Sequence, residues 1–241
     1  MKIRLNPEGA AEIVRRIVER YAMPRAGIHG SDAGYCGRKA VLNKTEFQPP
    51  PTSLAIKFAL GEALHQLLRS DVTVKEQEKD GIIFTVDEIG LELKTSRMSR
   101  HQILSLLKAT NGDDVSLGML AADEAPIHWL RQMMGYAYVW KRSTFDLAAL
   151  FINGNYSSKK DLPWIEPSYE PTLDDFTITF TKTELLDNWK WLKPRADAIR
   201  NALKNHELLP VTTRAYEWEC DGCPYFEQWC KDEFAKLKGV S

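Results

Sequence analysis

The spacing of apolar positions changes period along this chain. Ala10, Ile13, Val14, Ile17, Val18 and Tyr21 recur at helical spacing, after an Asn6-Pro7 pair that suits a helix start and before Pro24. Ser31 can cap a short helix reaching Leu42, Pro49-Pro50-Pro51 is a break, and residues 54–68 read as a second long helix. Alternation then takes over. Residues 72–78, 82–87 and 91–95 read as three strands of a meander. Asp80-Gly81 is a strong hairpin signal between the first two, and Ile89-Gly90 is a weaker turn before the third. Residues 103–107 suit a helix, 111–114 a loop, and 125–140 a helix. Strands follow at 145–152 and 176–180, separated by a Pro/Ser-rich loop. Residues 184–205 form a long helix with Leu185, Trp189, Leu192, Ala196, Ile199 and Leu203 along one stripe. This order predicts an α/β fold with a mixed sheet flanked by helices. Both ends of the chain join in a helical, cysteine-bearing clasp.

Composition narrows the function. The 241 residues suffice for one sizeable core and at most two domains. Lys and Arg total 32 against 33 Asp and Glu, a net charge of -1, which excludes a generally basic nucleic-acid binder but not a local basic groove. No run approaches the roughly 18 apolar residues of a membrane span, and the start of the sequence has no apolar signal segment, so the expectation is a cytoplasmic protein. Thiols stay reduced there, so the four cysteines ask for a metal or redox role before a disulfide one.

The sharpest constellation is Asp87, Glu92 and Lys94. With a two-residue turn at Ile89-Gly90, Glu88 faces Leu91 and Asp87 faces Glu92. Opposed side chains have Cβ atoms about 4.5–5.5 Å apart, where two like charges repel. A divalent cation between the carboxylates removes that repulsion, and hard oxygen ligands suit Mg²⁺ or Mn²⁺. Alternation puts Lys94 on the face of Glu92, with Ile89, Leu91 and Leu93 as apolar anchors on the other. The bland alternative is a solvated strand face carrying a salt bridge. Asp80 is a rival carboxylate, although its place before Gly81 already explains it as a turn residue.

Cys220, Cys223 and Cys230 cluster in the tail, and Cys36 lies far upstream. Four thiolates suit a four-cysteine zinc site or an iron–sulfur cluster, and the spacing does not separate the two. Either centre closes most of the chain into a loop and is structural first.

Taken in order, these motifs resemble the RecB-type nucleases of the PD-(D/E)XK superfamily that carry an iron–sulfur clasp. The size and layout are most similar to the CRISPR-associated exonuclease family, the fourth Cas protein, and its phage-encoded relatives. Ser31, Cys36, Arg38 and Lys39 match the context of the first cysteine, and His65 in Gly61-Glu62-Ala63-Leu64-His65 matches the helix histidine. Asp87 matches the motif aspartate, with Thr85 where glycine is common. Glu92-Leu93-Lys94-Thr95 matches the Glu-x-Lys-Thr core, Gln132 and Tyr136 match the following helix, and the last three cysteines match the tail.

The resemblance implies a restriction-endonuclease-like core at 54–209. Its clasp is built from 1–53, with Cys36, and from 210–241. It further implies that His65, Asp87 and Glu92 bind the catalytic Mg²⁺ or Mn²⁺, that Lys94 acts in catalysis, and that Gln132 and Tyr136 place DNA. Cys36, Cys220, Cys223 and Cys230 would hold a [4Fe–4S] cluster. The activity implied is a metal-dependent DNA exonuclease acting on single-stranded DNA or DNA ends, with a CRISPR integrase or recombination protein as a protein partner. The alternative is a catalytically silent DNA-binding subunit of such a complex. Arg97, Arg100, Arg131, Lys141 and Arg142 are candidates for a phosphate-binding rim or an ordinary solvated surface.

Overall fold

The computed structural model describes residues 7–68, 75–86, 88–107, 126–156 and 165–237. The chain order is α1 (Pro7–Arg20), α2 (Gly30–Gly34), α3 (Gly37–Thr45), α4 (Thr52–Leu68), β1 (Lys75–Lys79), β2 (Ile82–Val86), β3 (Leu91–Ser96), α5 (Arg100–Leu106), α6 (Ile127–Val139), β4 (Thr144–Phe151), β5 (Thr172–Thr179), α7 (Lys182–Asn205) and, after three short 3₁₀ or π turns, α8 (Lys231–Leu237).

The central sheet is mixed and flanked by helices. β3 runs parallel to β4, and β4 pairs antiparallel with β5. β1 and β2 form the expected hairpin, with Asp80 (φ 53°) and Gly81 (φ 73°) in the left-handed turn that Asp-Gly favours. The three-strand meander does not hold among the described residues. Among the described residues the Glu88–Leu91 bridge is the one pairing between the end of the hairpin and β3, which takes its ladder from β4. That bridge still delivers the predicted register of Glu88 against Leu91, with Gly90 at φ 98°. Asp87 lies outside the described residues.

One face of β4, formed by Phe145, Leu147, Ala149 and Phe151, is buried along its length. Phe145 and Leu147 pack with α6 and α7, whereas Ala149 and Phe151 pack with Ile103 and Leu107 at α5. Phe84 of β2 inserts between α2 and α6. A Cβ at Gly30 would lie 2.6 Å from its ring and one at Gly135 2.8 Å, so only glycine lets both helices close on it.

The helix expected from Ser31 to Leu42 is two helices, broken at Tyr35-Cys36. The carbonyls that would continue it are taken from outside. Arg195 of α7 donates to Ala33 O at 2.7 Å, Tyr35 O at 2.5 Å and Thr213 O at 2.8 Å. Glu219 accepts the Cys36 N–H. The tail thus decides the local structure that presents Cys36.

β5 starts at Thr172, earlier than its apolar pattern suggests. Asp174 is tolerated there because Arg100 pairs with both of its oxygens, each at 2.7 Å. No helix among the described residues is long and apolar enough to cross a membrane.

Candidate functional site

β3 carries Glu92 and Lys94 opposite Leu147 and Ala149 of the parallel β4, so both project from the buried face of the sheet, under α6. Glu92 is only 3% exposed. A carboxylate at that depth needs a compensating cation. Lys94 supplies one, its Nζ lying 2.5 Å from Glu92 Oε1. The same ammonium donates to Gln132 Oε1 on α6 at 2.9 Å, and Gln132 Nε2 donates to the Tyr136 hydroxyl. Gln132 and Tyr136 are one helical turn apart and share a face. Four sequence-predicted residues from two elements therefore form one continuous polar line, Glu92–Lys94–Gln132–Tyr136.

His65 sits half-buried on α4, which packs against β3 close to Thr95, the nearest side chain to Gly61. Of the expected apolar anchors, Leu93 is buried, but Ile89 is 43% exposed because it occupies the turn and lends only its carbonyl, to Arg142 Nη1 at 3.0 Å. Asp80 lies at the hairpin tip, about 20 Å along β2 from Val86 at 3.3 Å per residue. The geometry leaves it a turn residue, not a partner of Glu92.

The basic rim dissolves into separate roles. Arg100 is committed to Asp174, Arg142 backs the Gly90 turn, and Arg97 and Lys141 are exposed. Arg131 alone faces the site. It lines a cleft of about 120 Å³ between α2, β2 and α6, together with Arg25, His29, Tyr35, His128, Gln132 and Tyr136. His128 escaped the sequence reading. Its ring lies 5.6–6.1 Å from those of Tyr35, Tyr216 and Trp218. Burial, and then the charge of Lys94, hold its pKa down at about 4. The spacing of His128 and Gln132, four apart on one helix, was a signal that could have linked them.

All four cysteines line one mostly apolar cavity, with Arg38, Lys39 and Glu219 in its wall. Burial pushes the Cys36 thiol up and the Cys230 thiol up to about 11, with the other cysteines adding to the effect. Glu219 knits the cavity together. Its carboxylate accepts the backbone N–H groups of Cys36, of Ala215 at 2.9 Å and of Tyr216 at 2.7 Å. Among the described residues, no group of three or more His, Cys, Asp or Glu side chains is placed to hold a metal ion.

No protein-family model matches this chain, and no curated protein matches it. Among solved structures, "Crystal structure of SSO0001" is similar over 91% of this chain and 94% of that one, at 15% identity and a TM-score of 0.48. A likeness of that size carries no argument about function.

Proposed function

We propose that this protein is a metal-dependent DNA exonuclease with a PD-(D/E)XK core, hydrolysing phosphodiester bonds of single-stranded DNA or DNA ends. The observation that carries the reading is the Glu92–Lys94–Gln132–Tyr136 line. A buried ion pair is often no more stabilising than packed apolar residues, so its place under α6 fits a role in chemistry.

Glu92 and His65, with Asp87 beside them in sequence order, are the residues that would hold Mg²⁺ or Mn²⁺. The carboxylate oxygens suit those ions, and the His65 imidazole enters the set from the resemblance alone. When bound, the ion supplies a Lewis acid for the phosphate oxygens and an acidifying centre for water. The chain's own part is positioning and charge. Lys94, held by Glu92 and Gln132, presents its ammonium where negative charge grows on the phosphate. Water adds to phosphorus as the P–O bond to the leaving sugar oxygen breaks. Gln132 and Tyr136 orient the strand on α6.

Cys36, Cys220, Cys223 and Cys230 would hold a structural [4Fe–4S] cluster in their shared cavity. The support for a thiolate-held centre is that all four cysteines line one cavity; four thiolates suit zinc as well as a cluster, and the cluster is taken from the resemblance. Arg214, whose Nη1 lies 3.9 Å from Cys220 Sγ, and Arg38 would offset the negative charge of such a centre.

End-labelled single-stranded DNA, incubated with Mn²⁺, Mg²⁺ or EDTA and with a Lys94→Ala control, tests the reading. Metal-dependent loss of label by the parent chain, absent in the variant, is the expected result.

A further inference from the structure

We infer that the cleft between α2, β2 and α6 seats one unpaired nucleotide of the DNA strand, with its phosphate on Arg25 and Arg131 and its base against Tyr35 and His128. The inference rests on the nuclease reading only for the choice of DNA as ligand.

Charge is the first argument. Arg25 and Arg131 both line the cleft, and among the described residues neither has a carboxylate partner within ion-pair reach. Arg25 Nη2 donates to Ser31 Oγ at 2.9 Å, which aims the guanidinium along the cleft wall. Arg131 stacks on Trp191 at 4.2 Å, and its Nε is buried without a hydrogen-bond partner. A lining with two guanidiniums and no carboxylate among the described residues suits an anion, and the forked donors suit phosphate.

The second argument is shape. Tyr35 and His128 both line the cleft, with ring centroids 6.1 Å apart and planes tilted by 52°, and Tyr216 and Trp218 meet both rings edge-on. With its pKa held down at about 4, His128 adds an uncharged ring at pH 7 and not a third cation. Unpaired bases pack against aromatic side chains of this kind. The cleft, of about 120 Å³ between three elements, is a concavity on the scale of a single nucleotide. The third argument is place. Gln132 borders the cleft and also accepts from Lys94, so a nucleotide there lies beside the Glu92–Lys94 pair.

The test is fluorescence anisotropy of a labelled oligothymidylate with the full chain in EDTA, across a salt series. Arg25→Gln and Arg131→Gln should each weaken binding about tenfold and lower the slope of log K against log salt by about 0.7, the single-strand value per phosphate. Arg16→Gln on α1 is the control and should change neither. A blunt duplex competitor should bind at least tenfold more weakly than the single strand. Arg25 is exposed, so its variant carries the test if loss of the Arg131–Trp191 stack unfolds the other. Parent-like affinity and salt slope in Arg25→Gln would overturn the inference, as would equal affinity for the blunt duplex. If the parent cleaves DNA while Arg25→Gln binds and cleaves like the parent, the cleft falls and the nuclease stands. If Arg25→Gln loses binding but the parent never cleaves, the nuclease falls and the cleft stands.

Discussion

Lys94 on β3 donates to Gln132 on α6 across 2.9 Å while its ammonium rests 2.5 Å from Glu92. One side chain therefore ties the sheet to the helix that covers it. Lys94 and Glu92 have side chains only 17% and 4% exposed, so the pair is largely withdrawn from water. Removing one partner of such a pair strands the other and costs about 3–5 kcal/mol. Lys94→Ala should lower unfolding stability by about that amount in metal-free buffer, and Glu92→Gln combined with Lys94→Met should recover most of it. Urea titrations of the two variants check this. A Lys94→Ala protein as stable as the parent would mean that the pair is not formed.

The fit of Phe84 between two glycines gives a second prediction. Gly135→Ala puts a Cβ 2.8 Å from the Phe84 ring, and overpacking of this kind costs about 1–3 kcal/mol. Phe84→Leu should relieve it, so the double variant should lose less than the sum of the single ones. Additive losses in a denaturant double-mutant cycle would contradict the packing described.

Stability should depend on pH through His128. Its folded pKa, about 4, lies below the ordinary 6.5 because of burial and the nearby Lys94, while Tyr35, Tyr216 and Trp218 pack around it. The unfolded chain therefore takes up this proton first as pH falls. The neutral imidazole's contribution is whole above pH 6.5 and is lost between about 6.5 and 4, roughly 3 kcal/mol in all. Burial raises the Glu219 pKa, which acts in the opposite sense, with stability falling as pH rises past the ordinary carboxylate range. Comparing urea midpoints of the parent and His128→Phe from pH 7 to pH 4 isolates the histidine. Parallel curves would refute its role.

If the cavity holds the proposed cluster, the protein purified without oxygen should be yellow-brown with about four irons per chain. Cys36→Ala would then remove one ligand and should lower both the iron content and the thermal midpoint. A colourless protein holding one zinc per chain would overturn the cluster and leave the nuclease reading untouched.

Much of this was legible because local chemistry and fold agree. Asp80-Gly81 makes the turn its residues favour, and the apolar stripe of α7 is the buried one, with Trp189, Leu192, Ala196 and Ile199 in the core. The Glu92 and Lys94 face followed from alternation, and Gln132 and Tyr136 from helical spacing. What escaped depends on residues distant in sequence. Arg195 and Glu219 break the helix at Cys36 by taking its hydrogen bonds, and nothing near residue 36 announces partners 159 and 183 positions away. β3 left the meander for β4 because a buried strand with two faces can pair on either edge, and the pattern of one strand does not name its neighbour. The cleft was missed for a similar reason. Its cations and rings come from α2, β2, α6 and the link before α2, and each alone reads as an ordinary surface residue or helix residue.

Nuclease activity is decided by cleavage of end-labelled single-stranded DNA by the anaerobically purified full chain, with Mn²⁺, Mg²⁺ and EDTA side by side and a folded Lys94→Ala protein as control. Label release is expected with either metal, with none in EDTA and none from the variant. A folded parent protein with its iron in place that leaves the DNA intact, or a Lys94→Ala protein that cuts as fast as the parent, would contradict the nuclease reading.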